Sequence, residues 1–149
     1  MNIPNQIRRE ITFPGKRERV WSALTDPARI AQWFGTQAKF KQLAVGEPII
    51  FGWDSEIYHG VIAEVDAPRR FAFRWDSITT NPGAPFDESL STLVTFTLDE
   101  VVDGTRLTLV ESGFAELPEQ VQNKAFREND SGWDAELEDL QTYMRAWSS

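Results

Sequence analysis

Cysteine is absent from this chain of 149 residues. That excludes disulfide cross-links, thiol nucleophiles and thiolate metal ligands. Long apolar runs are absent too. The longest are a few residues, such as Pro48-Ile49-Ile50-Phe51, far short of the ~20 that cross a bilayer as a helix. The opening MNIPNQIRRE lacks the apolar centre of a secretory leader, so the cytoplasm is the expected location. Histidine occurs once, as His59. A metal site built on one imidazole needs carboxylates at ligand spacing, and none is evident, so no metal is expected. There is no G-x-S-x-G elbow and no phosphate-binding glycine loop, and no cofactor is expected.

What is present fits an ordinary folded chain. Apolar and charged fractions of 41% and 26% exclude a disordered composition. The length suits one domain over 1–149 with a real core. A net charge of −8 argues against nonspecific binding of nucleic acid. The charge is uneven: residues 1–41 hold eight Lys/Arg against three Asp/Glu, and residues 111–149 hold three against nine. These are either solvated faces or surfaces that attract each other, within one chain or across a homodimer.

Periodicity assigns the elements. QIRREITFPG alternates Ile7, Arg9, Ile11 and Phe13 against polar neighbours and stops at Pro14-Gly15, which predicts a strand. KRERVWSALTD places Val20, Trp21 and Leu24 on one helical face. DPARIAQWFG starts a second short helix, with Asp26 as N-cap, Pro27 at the first helical position and Gly35 at the end. Strands follow from residue 36 to 114. One parity carries Ile49, Phe51 and Trp53; another carries Phe71, Phe73 and Trp75; then come Val94, Phe96 and Leu98. After a hairpin signal at Asp103-Gly104, the set is Leu107, Leu109 and Glu111. EIYHGVIAEVD has apolar residues on both parities, so its inward face is not assigned.

The segment 77–89, SITTNPGAPFDES, is long for a loop in a compact domain and is expected to be a mobile portal or rim. Helix resumes from Pro118, with a weak point from Asn129 to Gly132 where a break or kink could form. Then Trp133, Leu137, Leu140, Met144 and Trp147 form one stripe. The opposite face, with Asp134, Glu136, Glu138, Asp139 and Arg145, suits water. The order is α+β: an antiparallel sheet on which the terminal helix must bury its stripe.

REITFPGKRERVWSALTDPARIAQWFG, FAFRW, GTRLTLVESGF and GWDAELEDLQTYM together resemble the START/Bet v 1-like (SRPBCC) superfamily. Within it the chain is similar to the activator of heat-shock protein 90 ATPase homologue-like family. The resemblance implies the helix-grip fold, in which a curved antiparallel β-sheet wraps a long C-terminal α-helix and two short helices follow the first strand. It also implies a cavity for a hydrophobic ligand between sheet and helix. Gly132 is then expected to let its end of the helix approach a neighbour closely. Some family members are linked to stress responses. The eukaryotic cochaperone carries a separate N-terminal domain for which this chain has no room, which argues against chaperone activation.

The expected cavity residues are Trp33, Trp53, Tyr58, His59, Phe73, Trp75, Phe96, Leu109, Glu111, Trp133 and Leu137, around a volume on the order of 300 Å³ or more. The alternative for most of them is plain core. Glu111 on an inward strand face needs a partner or a raised pKa; Arg9 is one candidate partner. Its replacement by Gln is expected to change specificity or pH dependence more than folding. Three functions stay open. One is a binding module for a small hydrophobic or amphipathic ligand. Another is an enzyme of cyclase or hydrolase type using Glu111 with His59 or Tyr58. The third is a protein-interaction module.

Overall fold

The computed structural model describes residues 4–54, 56–76 and 85–147. The alternation that opens the chain becomes strand β1 (Gln6–Phe13), with Ile7 and Phe13 buried. Helix α1 (Arg17–Thr25) buries Val20, Ala23 and Leu24. Asp26 accepts a hydrogen bond from the Ala28 amide at 3.1 Å and so caps helix α2 (Pro27–Trp33). Gly35 follows at φ +69°. A Cβ there would collide with the Gly52 carbonyl and the Trp53 ring, so only glycine lets this turn lie on the next strands.

Strands β2 (Gln37–Lys39), β3 (Pro48–Trp53), β4 (Glu56–Asp66), β5 (Arg70–Asp76), β6 (Ser91–Val101) and β7 (Gly104–Ser112) complete a seven-stranded sheet in the order β1-β7-β6-β5-β4-β3-β2. Every pairing is antiparallel. The unassigned strand β4 has a physical explanation. Its register with β5 shifts between Ile62 and Glu64. A bulge of this kind inserts an unpaired residue and flips the parity. Ile62 therefore pairs with Phe73, and Val65 with Phe71, so both parities need an apolar residue.

Helix α3 (Glu119–Ala146) is one continuous 28-residue helix across the concave face. The weak point from Asn129 to Gly132 does not break the helix. A mid-helix glycine costs about 1 kcal/mol, but Ala125 and Trp133, on either side of it, are buried, and that packing outweighs the local preference. Trp133, Leu137, Leu140 and Met144 are buried as the stripe requires. Trp147 is held differently: the guanidinium groups of Arg29 and Arg19 lie 3.6 Å and 4.9 Å from its ring centroid.

Part of the uneven charge is paired within one chain. Arg9 on β1 donates to Asp130 at 2.8 Å and to Asp134 at 2.9 Å on α3. Arg29 donates to the Tyr143 hydroxyl at 2.9 Å. The arrangement is the helix-grip fold. No helix among the described residues is long and apolar enough to cross a membrane. Most of the loop read as a portal, 77–84, lies outside the described residues; its last part runs into a 3-10 turn at Glu88–Leu90 capped by Asp87.

Candidate functional site

The inward rings of β3, β4 and β5 face α3 and the end of α2, and they meet in an aromatic cluster. Phe34 is at its centre. It stacks on Trp133 with centroids 5.3 Å apart and 12° between planes. It meets Trp53 edge-on at 4.7 Å and Phe51 edge-on at 5.1 Å. Such offset and edge-on pairs are the favoured geometries for aromatic contacts. The cluster fills the space between sheet and helix at this end only in part. Beside it lies a recess of about 340 Å³. Its floor is Phe34, Trp75 and Trp133, all buried; Trp53, Tyr58, Asn129, Gly132 and Glu136 form half-buried walls; Asp54, Glu56 and Glu128 stand at the exposed rim.

Of the residues singled out in the sequence, the structure brings Trp53, Tyr58, Trp75 and Trp133 to this recess. The others lie elsewhere. Phe73, Phe96 and Leu109 are sealed in the core behind the cluster. Trp33 is buried and donates from its indole nitrogen to the Ala23 carbonyl at 2.8 Å, tying α2 to α1. Leu137 is buried one turn beyond Trp133. His59 is next to Tyr58 on β4, and alternation turns it to the opposite face of the sheet. Its backbone amide donates to Asp76 at 2.9 Å.

Glu111 does not reach the recess. It is fully buried and accepts four hydrogen bonds. Trp133 Nε1 donates to one oxygen at 2.7 Å. Trp75 Nε1, Thr92 Oγ1 and Asn129 Nδ2 donate to the other at 2.9, 2.6 and 2.9 Å. Arg9, the partner considered from sequence, is engaged with Asp130 and Asp134 instead. Neither Tyr58 nor His59 is among the donors, so the catalytic pairs considered from sequence are not assembled. Burial pushes the Glu111 carboxyl above its usual range, and the four donors offset this only in part. Its visible role is positional: it holds the indoles of Trp75 and Trp133, and the Asn129 amide, that line the recess.

Glu136 corrects the expectation of a wet helix face. It is half-buried, and one oxygen accepts from Trp53 Nε1 at 2.9 Å. The other is enclosed, and no hydrogen bond of ordinary geometry reaches it among the described residues. Burial raises its carboxyl above the usual glutamate range; the Trp53 bond and the Gly35 amide oppose this, and Asp139 nearby adds to the rise. A signal for this was present in the sequence. Asn129, Gly132 and Glu136 step by three and four along the edge of the apolar stripe, so they share its inward flank. Gly132 also departs from expectation. A Cβ there would meet nothing within 4 Å, so the glycine gives room at the recess rather than close packing.

Asp76, which ends β5, is raised to about 6, mainly by burial, against the opposing His59 amide and ring. Its unfolded value is about 3.8. Between these values the folded chain binds more protons than the unfolded chain. Its contribution to stability is therefore complete below about pH 4 and is lost as pH rises through about 6. Asp76→Asn keeps an oxygen for the His59 amide but cannot ionise. Urea midpoints from pH 4 to 7 are expected to fall less steeply for this variant than for the parent. Parallel curves would show that Asp76 does not titrate with folding.

Comparison with known proteins places this geometry. No curated protein matches the chain. Among solved structures it is similar to protein MLL2253 from Mesorhizobium loti, at 26% identity, covering 97% of this chain and 99% of that one, with a TM-score of 0.79. CalU16 from Micromonospora echinospora aligns at 27% identity over 93% of this chain and 73% of its own, with a TM-score of 0.65. The Aha1 dimer from Colwellia psychrerythraea shares the fold at 17% identity, over 91% and 92% of the two chains, with a TM-score of 0.68. The chain belongs to the activator of Hsp90 ATPase homolog 1-like family of the SRPBCC superfamily, whose sequence model it matches from residue 15 to residue 145.

Proposed function

We propose that the recess between the sheet and α3 binds a small apolar or amphipathic molecule. The SRPBCC fold is known for ligand-binding cavities. The supporting observation is the recess of about 340 Å³, floored by Phe34, Trp75 and Trp133. Its size and aromatic lining are those of small-molecule sites. A single domain over 1–149 and a cytoplasmic location accompany this reading. So does a homodimer, for which the Colwellia relative's description as a dimer is the support.

Gly132 supplies the test. It lines the recess, and a Cβ placed there meets nothing within 4 Å. Gly132→Leu should therefore fold, and should gain about 0.5–1 kcal/mol from helix propensity. The same isobutyl group occupies ligand volume. An environment-sensitive apolar dye should bind the parent at one site per chain, and bind Gly132→Leu weaker by on the order of tenfold, the equivalent of about 1.4 kcal/mol. If a well-folded Gly132→Leu binds the dye as the parent does, the ligand site is not under α3.

A further inference from the structure

The recess has aromatic faces and carboxylates, but among the described residues most of its side-chain hydrogen-bond donors are already engaged. The indole N–H of Trp53 goes to Glu136, and those of Trp75 and Trp133 go to Glu111. Asn129 Nδ2 also goes to Glu111, and the Tyr58 hydroxyl donates to Glu56 at 2.7 Å. What remains for a ligand among these side chains is one N–H of Asn129 and a larger number of acceptors. The acceptors are Asn129 Oδ1, the half-buried carboxylate of Glu136, and the carboxylates of Asp54, Glu56 and Glu128 at the rim. No lysine or arginine is among the lining residues. Lys124 stands 3.8 Å from Glu128, with both side chains largely exposed, and Glu128 is thus partly neutralised. The other three acids have no basic partner in the lining.

We propose that the ligand carries a protonated amine on an apolar or aromatic body, with the ammonium seated against Glu136 and the aromatic rings. This rests on the ligand-binding reading above. The chemistry follows from what each alternative would meet. A carboxylate ligand, such as a fatty acid, would face four carboxylates and, among the described residues, a single spare side-chain N–H, that of Asn129. A neutral apolar ligand would cover the half-buried Glu136 carboxylate with nothing to offset its charge, which is unfavourable. An ammonium group donates to these carboxylates, opposes the negative charge, and is attracted by the electron-rich faces of tryptophan and tyrosine.

The experiment compares three probes of one shape: 2-naphthylmethylamine, 2-naphthylmethanol and 2-naphthoate. Each is titrated calorimetrically into the full chain at pH 7. The amine should bind tighter than the alcohol by on the order of tenfold, as expected for a partly desolvated charge and cation–π contact, and the acid should bind weakest. Glu136→Gln keeps an oxygen for Trp53 Nε1 but removes the charge, and should bring amine and alcohol together. Asp54→Asn gives an independent reading, because asparagine tolerates the φ of 54° at that position; it should narrow the same gap. Glu138→Gln changes net charge equally but lies outside the recess, and should leave the preference intact. Equal binding of amine and alcohol by the parent overturns the amine proposal while the ligand-binding reading stands. The amine proposal is equally overturned if Glu138→Gln removes the preference as fully as Glu136→Gln. If no probe binds and the apolar dye also fails to bind, both fall together.

Discussion

Glu111→Gln is expected to lower the melting temperature by roughly 2–12 °C, from a cost of about 1–3 kcal/mol for a buried polar group left unmatched and about 2–4 °C per kcal/mol at this size. The reason is a count of donors. Both carboxylate oxygens accept: one from Trp133, the other from Trp75, Thr92 and Asn129. A glutamine must put its NH₂ where one of those oxygens was. Facing Trp133 it sets two donors against each other; facing the other side it meets three. The sequence-based expectation that this change would affect specificity more than folding is therefore revised by the burial. A double-mutant cycle isolates the cause. Trp133→Phe removes the opposing N–H, so its cost and that of Glu111→Gln should be less than additive by at least about 0.5 kcal/mol. Strict additivity would mean that the hydrogen bond from Trp133 contributes nothing.

The same residue sets a direction for pH. Its folded pKa is raised above 4.5. Below that value both states are protonated and its contribution is complete. As pH rises, the unfolded chain releases its proton first, and stability falls until the folded pKa is passed. Of the four donating atoms only Thr92 Oγ1 can also accept, so with Asn129 in this orientation a proton held on Glu111 in the folded state points at Thr92 Oγ1. Asp76 and Glu136, also raised mainly by burial, slope the same way, and the chain should be more stable in mild acid than these groups would allow at neutral pH.

The legible parts of the fold are those where spacing alone determines the environment. The four-three-four steps from Trp133 to Met144 can only be one helical face, and the alternation from Phe71 to Trp75 can only be one sheet face. Strand β4 was not legible, because its bulge changes parity in mid-strand and nothing local announces an unpaired residue. Continuity through Gly132 was not legible either: glycine weakens a helix locally, and only the burial on both sides of it decides the outcome. At the site, parity placed Glu111 inward. Its donors Thr92, Asn129 and Trp133, however, come from a neighbouring strand and a helix 18 or more residues away, and sequence does not carry that pairing. The same distance hid the recess. Trp53, Tyr58 and Trp133 looked equivalent to Phe73 and Phe96, since all are large rings on inward faces. What separates them is how far each lies from the end of the sheet where α2 and α3 leave a gap.

Leu140→Ala should be the most damaging single change on α3 after loss of Trp133. Leu140 is fully buried, on the stripe that α3 lays on the concave sheet. Removing a buried leucine side chain costs about 2–5 kcal/mol, since transfer energy is lost and a cavity remains. Set against the ~5–15 kcal/mol that holds a typical domain together, that loss approaches unfolding. Leu137→Ala should follow closely. Asp134→Ala, on the other face of the same helix, deletes an exposed ion pair with Arg9. Such pairs contribute about 0–1 kcal/mol, and Arg9 keeps its second partner at Asp130. The two kinds of change lie within about two turns of one another, and each puts an alanine into the same helix, so helix formation alone would make them nearly equivalent. Urea unfolding separates the possibilities: midpoints for Leu137→Ala and Leu140→Ala well below that for Asp134→Ala place the grip in the buried stripe. Coincident midpoints would put it in helix propensity instead, and the sheet would then be stable without what it wraps.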